Sequence, residues 1–189
     1  RCLQRCEGVA RIRILHITTS LGVGGAEQIL VDLAKYQRQQ GHKVLIISLR
    51  DIEYWVKRLL RSQVDVQILL TRVPPNRFRY ILALILNYPR LIWLTKCFKP
   101  DLIHTWMYLA DLLGGVVALL LRRPVIWGIF SGSLHRQYYR SGTSLLIVSC
   151  AHLSRILPAL TVSCSAFGRR THIAAGYPSK GVAYIPTGF

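Results

Sequence analysis

Arg11-Ile12-Arg13-Ile14-Leu15-His16-Ile17-Thr18, followed by Thr19-Ser20-Leu21-Gly22-Val23-Gly24-Gly25-Ala26-Glu27, decides the fold. The first eight residues alternate and are rich in β-formers, which predicts a strand. The next stretch is a turn of small residues and glycines. From Ala26 to Gln40, apolar residues recur at Ile29, Leu30, Leu33 and Tyr36, the stripe of an amphipathic helix, and Gly41 closes it. Strand, glycine turn and helix in that order open an α/β fold. Backbone N–H groups at Gly24 and Gly25, backed by the positive end of the helix dipole, suit a phosphate or pyrophosphate. A plain tight turn is the other reading.

Outward from this unit the alternation continues. Lys43–Leu49 is a continuous apolar run, as parallel strands covered on both faces require. Ile52–Arg61 reads as a short helix and Val64–Leu70 as a strand. Arg77–Phe98 reads as one or two helices divided near Pro89. Leu102–Trp106 and Pro124–Phe130 read as strands flanking a helix at Tyr108–Leu121. A loop, Ser131–Gly142, leads to a helix at Ser144–Ile156 and a strand at Ala159–Ser163. Ser165 is placed to cap the next helix, and Val182–Ile185 is a last short strand. The expected architecture is a Rossmann-like parallel sheet with helices on both faces, over residues 11–185, after an irregular leader at 1–10. Ligands of such sheets bind beyond the carboxyl ends of the strands. That rule gathers Thr18–Gly25, Leu49–Asp51, Trp106–Met107 and Phe130–Ser133 around one crevice.

Composition narrows the chemistry. The 189 residues carry 25 Lys+Arg against 8 Asp+Glu, a formal charge of +17. Such a balance favours anionic partners. No carboxylate follows Asp111, so a catalytic carboxylate pair in the second half is excluded within this chain. The five cysteines contain no C-x-x-C pair and read as reduced, mostly buried thiols of a cytosolic protein. No metal-ligand cluster and no cofactor are expected. The apolar stretch Tyr80–Leu94 is interrupted by Asn87, Pro89 and Arg90 and is not expected to cross a membrane.

A dinucleotide fingerprint starting at Gly22 and Gly24 would place its third glycine on Glu27, so it is incomplete. Asp51 would then stand for the ribose-binding acid, and a dinucleotide-dependent enzyme is one alternative. A non-enzymatic basic module for acidic membranes or nucleic acid is another. The basic residues are dispersed and no nucleic-acid motif is present, so nucleic acid is not an expected partner.

Taken together, Gly24-Gly25-Ala26-Glu27, the segment Lys99-Pro100-Asp101-Leu102-Ile103-His104-Thr105-Trp106-Met107-Tyr108 with Ala110–Gly114, Pro124–Ile129, Val162–Ser165 and Tyr184-Ile185-Pro186-Thr187-Gly188 resemble glycosyltransferase family 4, in the same order. The resemblance implies one half of a GT-B architecture, the N-terminal acceptor-side domain. It implies a hinge beginning at 186–189 and a nucleotide-sugar-binding domain beyond it that this chain lacks. The implied activity is retaining transfer of a sugar, of the hexosyl type, from a nucleotide-sugar to an acceptor hydroxyl on a glycan or lipid-linked saccharide, with the isolated piece inactive. Gly24 and Gly25 are then the donor-phosphate contacts. Thr187 replaces the usual hinge asparagine, and Phe130-Ser131 replaces a common histidine or arginine, so no catalytic residue is assigned.

Acceptor contacts are expected from His104, Trp106, Ser131 and His135 at the ends of the fourth and fifth strands. Trp106 is either a stacking platform for a sugar face or a buried core residue, and His104 either a hydrogen-bonding partner or a core histidine. Asp111 is expected to pair with an arginine or to serve the start of its helix. Arginines, aromatics and leucines mixed through Arg77–Lys96 suit peripheral contact with an acidic membrane, on its cytoplasmic face.

Overall fold

A computed structural model of the chain describes residues 10–51, 54–131, 134 and 141–186. The leader at 1–9, His135 and the hinge residues 187–189 lie outside the described residues.

Seven strands form one parallel sheet: β1 (Arg13–Thr18), β2 (Lys43–Arg50), β3 (Asp65–Leu70), β4 (Leu102–Trp106), β5 (Val125–Ile129), β6 (Leu160–Ser163) and β7 (Val182–Tyr184). Among the described residues six α-helices accompany them: α1 (Gly25–Gln39), α2 (Val56–Arg61), α3 (Arg77–Phe98), α4 (Tyr108–Leu120), α5 (Ser141–Leu153) and α6 (Ala166–Ala174). The strand order is β3-β2-β1-β4-β5-β6-β7. The order places β2 and β3 on one side of β1 and β4 to β7 on the other, with α1 and α2 on one face and the later helices on the other.

The two faces are legible in the packing. On one, Ile14, Val44, Ile46, Val64 and Trp106 are buried, with Leu30, Val31 and Ala34 of α1 and Leu59 of α2 packed in the same layer. On the other, Leu15, Ile17, Leu45, Ile47, Ile103 and Trp127 meet Leu84 and Leu91 of α3, Val117 of α4 and Cys150 of α5. Neighbouring residues of β1 thus feed opposite layers, which is why the central strands are apolar throughout.

α1 ends where Gly41 adopts φ +86°, the left-handed conformation that glycine takes without strain. α4 lies close on the sheet through Gly114 and Gly115. A methyl group at Gly114 would collide with Thr105 Cγ2, and one at Gly115 would stand 3.0 Å from Trp127 Cζ2. Ser165 caps α6, accepting a hydrogen bond from Gly168 N at 2.8 Å.

α3 is one helix of 22 residues, not two. Pro89 removes one hydrogen bond to the carbonyl four residues earlier, that of Ile85, a residue on the exposed side of the helix. By length and composition alone the unbroken helix is long and apolar enough to cross a membrane, its most apolar 18-residue window having a mean hydropathy of 1.3. In the structure it packs on β1, β3 and α4. Cys97, near its end, is exposed, while Cys150 is buried.

Candidate functional site

The sheet changes direction between β1 and β4, and the crevice beyond their carboxyl ends is the site that such topology prepares. Gly24 is the N-cap of α1, in extended conformation, and its carbonyl accepts from Gln28 N at 3.0 Å. Gly25 begins the helix, is exposed, and has nothing within 4 Å of the position a Cβ would take. The Glu27 carboxylate folds back against Gly24, where a Cβ would meet its Oε2. An acid there complements the helix dipole when no other anion is bound. It also occupies the place where the third glycine of a dinucleotide fingerprint would allow close approach.

Across the switch point, Met107 follows β4 with φ 70° and ψ 158°, a conformation rare for a residue with a side chain. Its N–H is held by Gly128 O at 3.0 Å, and its carbonyl accepts from Asp111 N at 2.9 Å. The strained residue therefore clamps the end of β4 to β5 and starts α4. Nothing in its residue type announces this in the sequence.

His16, His104 and Trp106 lie beneath this rim on the face of α1. The register sets His16 beside His104 and Thr18 beside Trp106. Ring centroids are 5.3 Å apart for the two histidines and 4.6 Å for His104 and Trp106. Burial lowers the His16 pKa to about 4, against the opposing hydrogen bond to Gln37. Burial, then the neighbouring His16, holds His104 well below its ordinary value. Both are neutral at pH 7. His104 Nε2 is buried with no hydrogen-bond partner among the described residues.

Trp106 does not offer a sugar platform here. It is 1% exposed and Phe130 stacks on it at 4.6 Å, the rings 13° from parallel. The stacking expectation gives way to the core reading because the next strand supplies the covering ring. Ser131, half-buried directly after Phe130, stands at the same rim as Gly25 and Met107. Asp111 stands in the first turn of α4, the second of its two expected roles. It is fully buried, pairs with no arginine among the described residues, and accepts from Thr105 Oγ1 at 2.5 Å. Burial raises its pKa to about 7 against the hydrogen bonds from Thr105 and Gly128 N. Among the described residues no cluster of three or more His, Cys, Asp or Glu is arranged to hold a metal ion.

A glycine turn at the switch point of a seven-stranded parallel sheet defines the Rossmann-like half of a GT-B architecture. The chain belongs to Glycosyltransferase Family 4, whose model matches residues 23–189. Solved structures with the same fold include Anabaena HepE in complex with UDP and glucose, at 21% identity and a TM-score of 0.76, covering 95% of this chain and 45% of that one. Acinetobacter baumannii MurG matches at 17% identity and a TM-score of 0.61, over 92% of this chain and 45% of its own. A UDP-N-acetylglucosamine 2-epimerase from Rickettsia bellii matches at 12% identity and a TM-score of 0.61, over 94% and 45%. The chain thus spans under half the length of these structures. No protein of curated function matches it by sequence.

Proposed function

We propose that this chain is the acceptor-side domain of a retaining glycosyltransferase of the hexosyl type, which moves a sugar from a nucleotide-sugar to an acceptor hydroxyl on a glycan or lipid-linked saccharide. The observation that carries the reading is the open Gly25 at the N-terminus of α1, on the switch-point crevice of a family 4 fold. The leaving diphosphate gathers negative charge as the glycosidic bond to the donor breaks. Gly24 and Gly25 N–H groups and the α1 dipole stabilise that charge, a contribution of about 3 kcal/mol for a well-placed donor. Glu27 swings aside for it. His104, with its unpaired Nε2, and Ser131 face the acceptor, and His135, outside the described residues, is a further acceptor contact on this reading. The sugar-binding partner domain supplies the rest of the nucleotide site, so the isolated domain is inactive. The enzyme works at the cytoplasmic face of a membrane, which α3 touches.

The UDP-bound neighbour supports a nucleotide-sugar as the donor class. The test is a transfer assay of the full-length protein against a set of nucleotide-sugars, with the anomeric configuration of the product read by NMR and NAD titrated in parallel. Net retention in a transferred sugar supports the reading. NAD binding without any nucleotide-sugar binding replaces it with the dinucleotide alternative, in which Asp51 holds the ribose.

A further inference from the structure

A cavity of about 910 Å³ opens between α3, α4 and α5, within the range of about 300–1,000 Å³ typical of small-molecule sites. Its walls are apolar: Ile81, Leu84 and Ile85 of α3, Leu112, Leu113 and Val116 of α4, with Leu145 and Leu146 of α5. No acidic residue lines it among the described residues, and two arginines do, Arg50 and Arg77.

The topology gives the cavity a direction. Arg50 ends β2 at the carboxyl rim of the sheet, and Arg77 begins α3 on the return from that rim. Tyr88, Pro89 and Val116 lie further down α3 and α4, toward the opposite edge of the sheet. Twelve residue steps of α3, from Arg77 to Pro89, extend the slot by about 18 Å. The cationic end is therefore at the rim where the transfer crevice lies, and the greasy end runs away from it.

Among the described residues, two polar atoms at the cationic end lack partners. Arg50 Nε and Tyr80 OH are both buried without a hydrogen bond, on residues that line this same cavity. A buried guanidinium N–H left unpaired is costly, and an anion in the cavity mouth would satisfy it. Arg50 also acts electrostatically on the Tyr80 phenol, so the two groups are neighbours.

We propose that this cavity takes the hydrocarbon tail of a phosphate-bearing lipid acceptor, with Arg50 and Arg77 meeting the phosphate at its mouth. The assignment to an acceptor rests on the transferase reading above; the lipid slot itself stands on the cavity and its unpaired polar atoms.

The test is calorimetric titration of the full-length protein with decyl phosphate below its micellar concentration, with decanol and inorganic phosphate as separate arms. Decyl phosphate should bind at least about tenfold more tightly than either. Arg50→Gln should lower decyl phosphate affinity about tenfold and leave decanol unchanged. Leu113→Trp, which fills the slot, should weaken both ligands. Leu145→Glu at the exposed mouth repeats that test should the tryptophan variant not fold. Equal binding of decyl phosphate and inorganic phosphate, or wild-type affinity in the variants, overturns the proposal. Nucleotide-sugar affinity is measured in the same preparations. Nucleotide-sugar binding without decyl phosphate binding sinks the lipid slot alone; the reverse leaves the slot and removes its role as an acceptor site.

Discussion

Trp106 donates its indole N–H to Nδ1 of His16 at 3.1 Å, across 90 residues of sequence. That bond leaves the histidine proton on Nε2, which donates to Gln37 Oε1 at 2.7 Å. One neutral tautomer thus ties β4 to β1 and β1 to α1. Trp106→Phe retains the stack with Phe130 but strips Nδ1 of its donor. The unpaired buried acceptor should cost about 1–3 kcal/mol, before any loss from the smaller ring. Urea unfolding followed by far-UV circular dichroism measures it. Wild-type stability in the variant would mean that the bond is not maintained in solution.

The same burial sets an opposition in pH. The His16 pKa is lowered to about 4, so its neutral form is the folded form. The unfolded chain takes up that proton near pH 6.5, and stability falls as pH drops from there toward about 4. His104 and His172, both lowered by burial, act in the same direction. Asp111 acts in the other. Its pKa is raised to about 7, so the folded state keeps a proton that the unfolded carboxyl releases above 3.8, and stability falls as pH rises between those values. Asp111→Asn removes the opposing slope and keeps an oxygen for Thr105. The variant should lose stability more steeply on acidification, by close to one additional proton taken up on unfolding, between pH 4 and 6.5. Unfolding free energies measured at several pH values decide it, and an unchanged slope would mean that Asp111 is ionised when folded.

Gly114 inverts the usual helix rule. Alanine favours a helix interior over glycine by about 1 kcal/mol. Here the added methyl would collide with Thr105 Cγ2 and stand 3.1 Å from Ile17 Cδ1, against the sheet. Gly114→Ala should therefore destabilise, by about 1–3 kcal/mol as overpacked cores do. A thermal melt suffices, and a rise in Tm would show that α4 has room to lift.

Much of this was legible from residue pattern. The order of strands and helices follows from apolar runs and turn residues, and Gly41 and Ser165 mark real helix ends. What escaped depends on partners that sequence spacing does not disclose. Arg77–Phe98 reads as one or two helices divided near Pro89, and it is one, continuing through the proline. Trp106 reads equally well as platform or core, and only the arrival of Phe130 from the next strand settles it. Asp111 reads as an arginine partner or as an acid serving a helix start, and the second holds. Its burial follows from the close approach of α4, which the paired glycines permit and Thr105 answers. Strand position alone places Gly24, Gly25, Arg50 and Met107 at the crevice rim; what residue type does not announce is the strained backbone of Met107 and the unpaired Nε of Arg50.

The outer face of α3 bears Phe78, Leu82, Leu86 and Trp93, exposed by 74%, 44%, 70% and 60%, on a helix that also carries four basic residues and no acid. Apolar side chains of that size beside cations suit the interface of an anionic bilayer. The full-length protein should cosediment with phosphatidylglycerol-containing vesicles, and binding should weaken as salt rises. Phe78→Glu with Leu86→Glu should abolish it without loss of fold, since both positions are exposed. Equal binding to neutral vesicles would remove the electrostatic part of the reading.

Gly25 separates stability from function. Its Cβ position is empty, and alanine at a first helical position is a good helix former. Gly25→Ala should leave Tm unchanged or slightly raised. The methyl would nevertheless project into the space where the donor diphosphate must approach the α1 N-terminus. Loss of close N–H contact to the developing charge should cost about 10²-fold in kcat, as removal of a single preorganised donor does. Gly24→Ala is the poorer probe, because its methyl first meets the Glu27 carboxylate and so perturbs the turn itself. Transfer kinetics on the full-length Gly25→Ala protein, alongside a thermal melt, measure both quantities at once. Full activity in a stable variant would mean that the diphosphate sits elsewhere, and the glycine turn would be left with a purely structural part in the fold.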